Sequence, residues 1–281
     1  MVSNVPLLLA RFCLLTLGAG LFGSACLAVY APWAARGRGP TSLRLTAPAT
    51  AAMAGLVWLL SLWAQTTTGG RGPSLAQFSL TTPSGLGLCV AILLCLLLAA
   101  LAFAPPLPAK VRAYITGALL VSLACVGHAS AVGGIAGAVR IAVMAIHLLF
   151  AGAWLGGLLP LIAALRAPGA ETERTLRAFG QMAIGAVAAL ATTGLIIAAA
   201  VVSLAGGPPG KTYLITFGVK LALVLGLGVV ASINRWGLTP LAAHDPVKAR
   251  RMLWWTLAVE QSLALALLAT VAQLGLLDPG A

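Results

Sequence analysis

The chain has 281 residues, of which 60% are hydrophobic and only 8% are charged, and its formal net charge is +12. A soluble domain needs a polar exterior, and 17 basic and 5 acidic residues cannot cover one on a chain of this length. The composition therefore predicts a polytopic membrane protein and argues against a soluble nucleic-acid-binding protein as the source of the positive charge.

Eight segments of the sequence have the length of about 20 apolar residues that a membrane-spanning helix needs. They cover residues 5–30, 48–65, 84–104, 111–128, 135–163, 176–204, 212–234 and 251–276. The breaks between them are too short to hold a separate domain, so we expect residues 1–281 to form one all-α integral membrane domain. The first segment has no basic region before it and no small-residue cleavage site before Tyr30, which predicts a spanning helix and not a signal peptide.

The basic residues are distributed unevenly among the seven breaks. Breaks 2, 4 and 6 hold only Arg71 and Lys211, whereas the odd-numbered breaks hold 12 basic residues. Because lysine and arginine concentrate in cytoplasmic loops, we expect the odd-numbered breaks to be cytoplasmic and both termini to lie outside. The remaining basic residues fall inside apolar segments and are Arg11, Arg140 and Lys220.

The fifth segment, "RIAVMAIHLLFAGAWLGGLLPLI", carries a stripe of residues that lipid solvates poorly. Arg140, Met144, His147 and Trp154 fall on one side of a helix with 3.6 residues per turn. Because lipid offers no hydrogen-bonding partners, this side should face protein or a water-filled cavity.

Two pairs of candidate metal ligands flank the outer connection between the fourth and fifth segments. Cys125 and His128 are three residues apart, as are Met144 and His147, so each pair projects from one face of its helix. Imidazole with thiolate or thioether suits monovalent copper, and the only carboxylate in an apolar segment, Glu260, argues against a hard cation. We therefore expect a site for Cu(I) rather than Cu(II). The alternatives are interhelical hydrogen bonding by each histidine, or axial ligation of a haem by both.

Two further groups of residues are candidates for the inward route. Lys220 and Glu260 are ionisable residues of the seventh and eighth segments, and we expect them to pair, because a buried charge without a partner is costly. A proton or cation relay is the alternative. Sulfur side chains are concentrated near the predicted cytoplasmic ends, where thiol and thioether groups could form an inner way-station for Cu(I); gap filling is the alternative. These candidates are Cys26, Met53, Met182 and Met252.

The runs "GHAS", "HLLFAGAWLGGLLPL", "RAFGQ", "TTGLI", "TYLITFGVKLALVL", "SINRWGLTP" and "AVEQSLAL" lie between residues 120 and 268. Together they resemble the bacterial copper-resistance protein D (CopD) family, whereas the first four segments resemble it only in number and placement. The resemblance implies an eight-helix inner-membrane protein that moves copper from the periplasm to the cytoplasm. It also implies a small CopC-like periplasmic copper carrier as partner. The positions that match the family pattern are His128, His147, Trp154, Lys220, Asn234, Arg235 and Glu260.

Two positions depart from the family pattern. Gly180 stands where serine is usual, and the first segment lacks the histidine that some members place near Phe12. We predict a copper transport protein of the bacterial inner membrane, with periplasmic termini, that is not an enzyme and binds no nucleic acid. Two alternatives stay open: a b-type haem electron-transfer protein with two axial histidines, and a non-transporting subunit that delivers copper to an oxidase.

Overall fold

The computed structural model describes residues 5–35, 41–68, 75–105, 107–126, 133–165, 169–205 and 209–277. Within those ranges every regular element is helical, which confirms the predicted all-α class. A 3-10 helix at Pro32–Ala35 follows the first α-helix, and a π-helix at Ile233–Leu238 joins the eighth to the ninth. The α-helices are α1 (Val5–Tyr30), α2 (Thr41–Thr68), α3 (Leu75–Thr81), α4 (Pro83–Leu101), α5 (Ala109–Leu123), α6 (Gly134–Ala164), α7 (Gly169–Ala205), α8 (Lys211–Ser232), α9 (Thr239–His244) and α10 (Pro246–Leu274).

Seven helical stretches of the described chain are long and apolar enough to cross a membrane. They are Val5–Tyr30, Leu45–Trp63, Pro83–Leu101, Gly134–Ala164, Glu171–Ser203, Lys211–Ala242 and Val247–Leu274. The predicted segment 111–128 corresponds to α5, whose 15 residues extend about 22 Å against a hydrocarbon core of about 30 Å. The end of that segment lies outside the described residues, so eight spans remain a prediction.

The polar ends of two helices extend them beyond the predicted apolar segments. α7 begins at Gly169 instead of residue 176, because Glu171 lies in its first turn and Arg177 donates to Glu173 at 2.9 Å one turn apart. α10 begins at Pro246 instead of residue 251, because the Asp245 side chain caps it by accepting a hydrogen bond from the Lys248 backbone. Both extensions carry charged residues that apolar length alone does not predict.

The centre of the bundle is a close contact between α1 and α6, which run parallel. A Cβ atom on Gly23 would collide with the backbone of Gly156 and Gly157, and one on Gly156 would collide with the Ala19 carbonyl. Ala19 and Gly23, like Gly152 and Gly156, are four residues apart, and this small-residue spacing lets membrane helices approach closely. The backbones of α1 and α6 are therefore in direct contact at these positions.

Two clusters of buried apolar side chains lie on either side of this contact. The first surrounds Leu158 of α6 with residues of α7, α8 and α10, and the second surrounds Leu119 of α5 with residues of α1, α2 and α4. α5 runs antiparallel to α1, because Gly18 faces Leu120 whereas Gly117 faces Phe22. The chain thus returns along α5 to the end of the bundle where α1 begins, and α6 starts there.

Candidate metal and polar sites

His147 of α6 faces α7, where Thr193 fixes its ring. The Nδ1 atom lies 2.8 Å from Thr193 Oγ1, and the same hydroxyl lies 2.7 Å from the carbonyl oxygen of Ala189 one turn earlier. Since a hydroxyl has one proton, and the Ala189 carbonyl can only accept it, the Thr193 oxygen accepts from Nδ1–H of His147. This tautomer leaves a lone pair on Nε2, the arrangement that a metal-binding histidine needs.

The rest of the predicted stripe on α6 is also in contact with protein or with a cavity. Trp154 is buried in the first apolar cluster, and its Nε1 atom has no hydrogen-bonding partner in the described part of the chain. Met144 and Arg140 lie one and two turns from His147 in the opposite direction, and both line a cavity. The stripe therefore runs from an apolar core at Trp154 to a cavity at Arg140.

This cavity has a volume of about 220 Å³ and lies near the end of the bundle that holds Val5; we call it the basic cavity. Its walls come from α1, α2, α5, α6, α7, α8 and α10 and are mainly apolar. Three basic residues also line it, one each from α1, α6 and α8: Arg11, Arg140 and Lys220. No acidic residue is among the described residues that line it. These three charges therefore make the electrostatic potential inside the basic cavity positive.

The three basic side chains have few partners. Arg11 Nη1 donates to the carbonyl of Gly275 at 2.7 Å, where the end of α10 presents unpaired carbonyl groups. Arg140 Nη1 is buried and has no acceptor within the described ranges. Lys220 Nζ lies 5.8 Å from the centre of the Phe217 ring, at the outer limit of a cation–π contact. One backbone carbonyl and one aromatic ring thus supply the only contacts found for these charges among the described residues.

The predicted outer ligands are only partly described. His128 lies outside the described residues. Cys125 packs against α4, where a Cβ on Gly87 would lie 2.9 Å from its own Cβ, and its carbonyl accepts from Ser84 Oγ at 3.1 Å. Met144 lines the basic cavity instead. Within the described ranges no group of three or more histidine, cysteine, aspartate or glutamate side chains could hold a metal ion, so the four-residue copper site stays a prediction.

The predicted ion pair between Lys220 and Glu260 is wrong. Glu260 is only 2% exposed and its Oε2 accepts a hydrogen bond of 2.8 Å from Asn234 Nδ2, and in the described part of the chain only Arg177 and Glu173 form a salt bridge. Lys220 is 14 positions before Asn234, about 21 Å along a helix, and it faces the basic cavity. The two charges lie at different depths of the bundle, and the amide of Asn234 satisfies the carboxyl group.

The π-helix at Ile233–Leu238 positions this second polar site. It holds Asn234, which donates to Glu260 of α10. The Asn234 carbonyl accepts two hydrogen bonds from Thr239, one from its backbone N–H and one of 2.8 Å from its Oγ1. Arg235 packs on α7 at Gly180, where a Cβ would collide with the guanidinium group. The glycine that departs from the family pattern thus makes room for Arg235. No periodicity in the sequence signals this π-helix.

The candidate inner sulfur residues do not converge. Met53 packs against the cluster around α1, α2, α4 and α5, whereas Met182 packs against the cluster around α6, α7, α8 and α10. Met252 is 42% exposed, and Cys26 lies half-buried on α1, one turn before Tyr30. Their positions fit the alternative interpretation, in which these side chains fill gaps between helices.

The fold and the two polar sites define a polytopic α-helical membrane protein with conspicuous ionisable residues inside its bundle. Comparison with known families identifies the group to which it belongs. The family model Copper resistance protein D matches residues 173–274, and Copper resistance protein D-like, N-terminal domain, matches residues 1–138. The chain belongs to the copper resistance protein D family. These matches confirm the resemblance over residues 120–138 and 173–268 and extend it to the first four predicted segments.

The chain is also similar in sequence to one curated protein. Inner membrane protein YebZ of Escherichia coli (strain K12) is 29% identical over 175 residues, which cover 59% of this chain and 58% of that protein. The chain thus matches somewhat more than half the length of this relative. No solved structure gives a significant match to the chain. Together with the apolar helices, the relative supports a multi-pass protein of the inner membrane.

Proposed function

We propose that this protein moves copper as Cu(I) across the inner membrane, from the periplasm to the cytoplasm, and that it is a transporter and not an enzyme. The observation that carries the proposal is the geometry of His147. Its Nδ1 is held by Thr193, whose hydroxyl is in turn held by the Ala189 carbonyl. An imidazole oriented in this way leaves Nε2 available as a metal ligand. Membership of a copper resistance family suggests that the metal is copper.

Three residues are proposed to join His147 as ligands. Met144 is three residues before it on α6 and contributes a thioether, which is a soft ligand suited to Cu(I). His128, in the connection before α6, is the proposed second imidazole. Cys125 packs towards α4 and is the weakest candidate of the four. A small CopC-like carrier in the periplasm is the proposed source of the metal.

The direction of transport depends on the topology, for which we propose eight crossings with both termini in the periplasm. Two observations support it. α5 runs antiparallel to α1 and α6 runs parallel to it, so the chain must return between α4 and α6. The predicted odd-numbered breaks hold 12 basic residues and the others two. With His147 on the periplasmic half, the membrane potential would favour inward movement of Cu(I) by about 2.3 kcal/mol per 100 mV.

The test is Cu(I) binding and uptake by the purified protein, reconstituted in sealed vesicles. His147→Ala should lose bound copper and uptake. The matched control is His244→Ala, which removes an exposed histidine on α9 at the opposite end of the bundle and should behave like the wild type. Unchanged copper stoichiometry in His147→Ala would refute the site. Copper binding by the wild type without any uptake into vesicles would refute transport and favour a delivery subunit.

A further inference from the structure

We propose that the basic cavity binds the phosphate group of an anionic phospholipid, whose acyl chains leave the protein between α7 and α8. This inference does not depend on copper transport. It rests on the charge of the cavity, on the depth and free donors of its basic residues, and on the separation of α7 from α8, which both line it.

Among the described residues, no acidic side chain acts as a counterion for the charge of the basic cavity. Of the five acidic residues of the chain, Glu171, Glu173 and Asp245 lie at the opposite end of the bundle, and Glu260 binds Asn234. The fifth, Asp278, lies outside the described residues. Positive charges are costly in a low-dielectric interior unless an anion pairs with them. A bound anion would neutralise part of the charge of Arg11, Arg140 and Lys220, whereas a bare metal cation would be repelled.

The depth of these residues suits a lipid phosphate. Arg11 and Arg140 each lie six residues after the start of their helix, about 9 Å along the axis, and Lys220 lies nine residues after the start of α8, about 14 Å. α1 has 26 residues and α6 has 31, so both exceed the hydrocarbon core of about 30 Å. Long basic side chains at such positions extend towards the interface, where lipid phosphates lie.

The donors available in the cavity also match a phosphate. Arg140 Nη1 is buried without an acceptor in the described part of the chain, and Arg11 uses one of its nitrogens for the Gly275 carbonyl. Guanidinium groups present a planar set of N–H donors that fits phosphate oxygens, and an ammonium group such as that of Lys220 adds a compact charge. Three donors from three different helices thus converge on one space of about 220 Å³.

Two of the helices that line the cavity, α7 and α8, do not pack together along their length in the described part of the chain. α7 packs on α6, and α8 packs on α10, although α7 and α8 are consecutive in the chain. On the α7 wall, Ile196 lines the cavity and is 49% exposed, and on α8 the neighbouring Leu214 is 50% exposed. A volume of about 220 Å³ is smaller than the 300–1,000 Å³ or so of most ligand pockets. It can hold a headgroup, but acyl chains must lie outside, along these apolar helix faces.

The test is lipid-dependent thermal stability of the purified full-length protein in a neutral detergent. Phosphatidylglycerol should raise the melting temperature at concentrations at least tenfold lower than phosphatidylcholine. Arg140→Gln and Lys220→Gln should each lose most of this preference. The matched control, Lys211→Gln, removes a positive charge from the same helix and the same end of the bundle, but Lys211 is not among the residues that line the cavity. It should keep the preference.

Four results would count against the proposal. Equal effects of phosphatidylglycerol and phosphatidylcholine on the wild type would show that the headgroup charge is not recognised. An unchanged preference in both Arg140→Gln and Lys220→Gln would place the lipid elsewhere. If inorganic phosphate stabilises the wild type as well as phosphatidylglycerol at the same concentration, the occupant is a soluble anion and not a lipid. Should either glutamine variant not fold, Arg140→Lys and Lys220→Arg keep the charge and should retain the preference; its loss in both would count against the site.

Discussion

The hydrogen bond between Asn234 and Glu260 gives the sharpest prediction of this structure, because it replaces an ion pair expected from the sequence. Asn234→Leu removes the donor and leaves a carboxyl group that is 2% exposed without its partner. An orphaned buried acceptor costs about 1–3 kcal/mol. We therefore expect this change to lower the free energy of unfolding by about that amount. Glu260→Leu in the same chain should restore part of it, because two apolar groups then face each other.

The coupling free energy from the double-mutant cycle should be about 1 kcal/mol. Interhelical hydrogen bonds in membrane proteins average about 0.6 kcal/mol and reach about 1.7 kcal/mol in such cycles, and a carboxyl acceptor places this bond in the upper half of that range. The matched control is the cycle of Lys220→Met with Glu260→Leu, which should give no coupling beyond about 0.3–0.5 kcal/mol, because the two sites share no contact.

Both cycles can be measured by reversible unfolding in mixed detergent micelles, followed by circular dichroism. Coupling below about 0.3 kcal/mol between Asn234 and Glu260 would show that the hydrogen bond does not contribute to stability. A larger coupling between Lys220 and Glu260 than between Asn234 and Glu260 would refute the reasoning and restore the ion pair.

Two further predictions use neighbouring control positions. Gly23→Ala should lower the free energy of unfolding by about 1–3 kcal/mol, because the added Cβ would collide with the α6 backbone. Gly20→Ala, whose Cβ would meet nothing within 4 Å, should raise the free energy of unfolding by about 0.5–1 kcal/mol. Equal effects of the two substitutions in chemical denaturation would contradict the close contact between α1 and α6. Thr193→Val should weaken Cu(I) binding about 10- to 100-fold in a chelator competition, since His147 loses the group that orients it. Thr192→Val, which removes an exposed hydroxyl bonded only within α7, should not weaken it, and equal affinities of the two variants would contradict a role for Thr193.

The apolar helices could be predicted from the sequence because their length and composition are local properties. The first predicted segment, 5–30, has the same bounds as α1, and 84–104 overlaps nearly all of α4. The start of α7 was predicted seven residues too late, because Glu171 and Glu173 stabilise helix beyond the apolar run. Hydropathy predicts the part of a helix that lipid can surround, and it does not predict extensions that consist of charged residues.

The partners of the polar residues could not be predicted in the same way, because they depend on relative helix positions. His147 was identified as a polar residue that must face protein, but its partner Thr193 lies 46 residues later in a run of alanine and threonine. The predicted ion pair between Lys220 and Glu260 is wrong because the prediction considers only residues of opposite charge as partners for Glu260. An amide group such as that of Asn234 can also donate a hydrogen bond to a carboxyl group. The π-helix that presents Asn234 follows from tertiary packing and has no signature in the sequence.

The basic cavity restricts how copper could pass through this end of the bundle. A monovalent cation about 10 Å from one positive charge, at an effective dielectric constant of about 20, is repelled by about 1.7 kcal/mol, and three such charges by about 5 kcal/mol. A membrane potential of 100 mV supplies only about 2.3 kcal/mol in the opposite direction. The barrier falls when an anion occupies the cavity, since each negative charge cancels one positive charge. His147 lies one turn beyond Met144 on the same helix, and its neutral form, which is the form that can bind a metal through Nε2, adds nothing to the repulsion. A copper route past His147 and a bound anionic headgroup are therefore compatible, and the anion makes the route less costly.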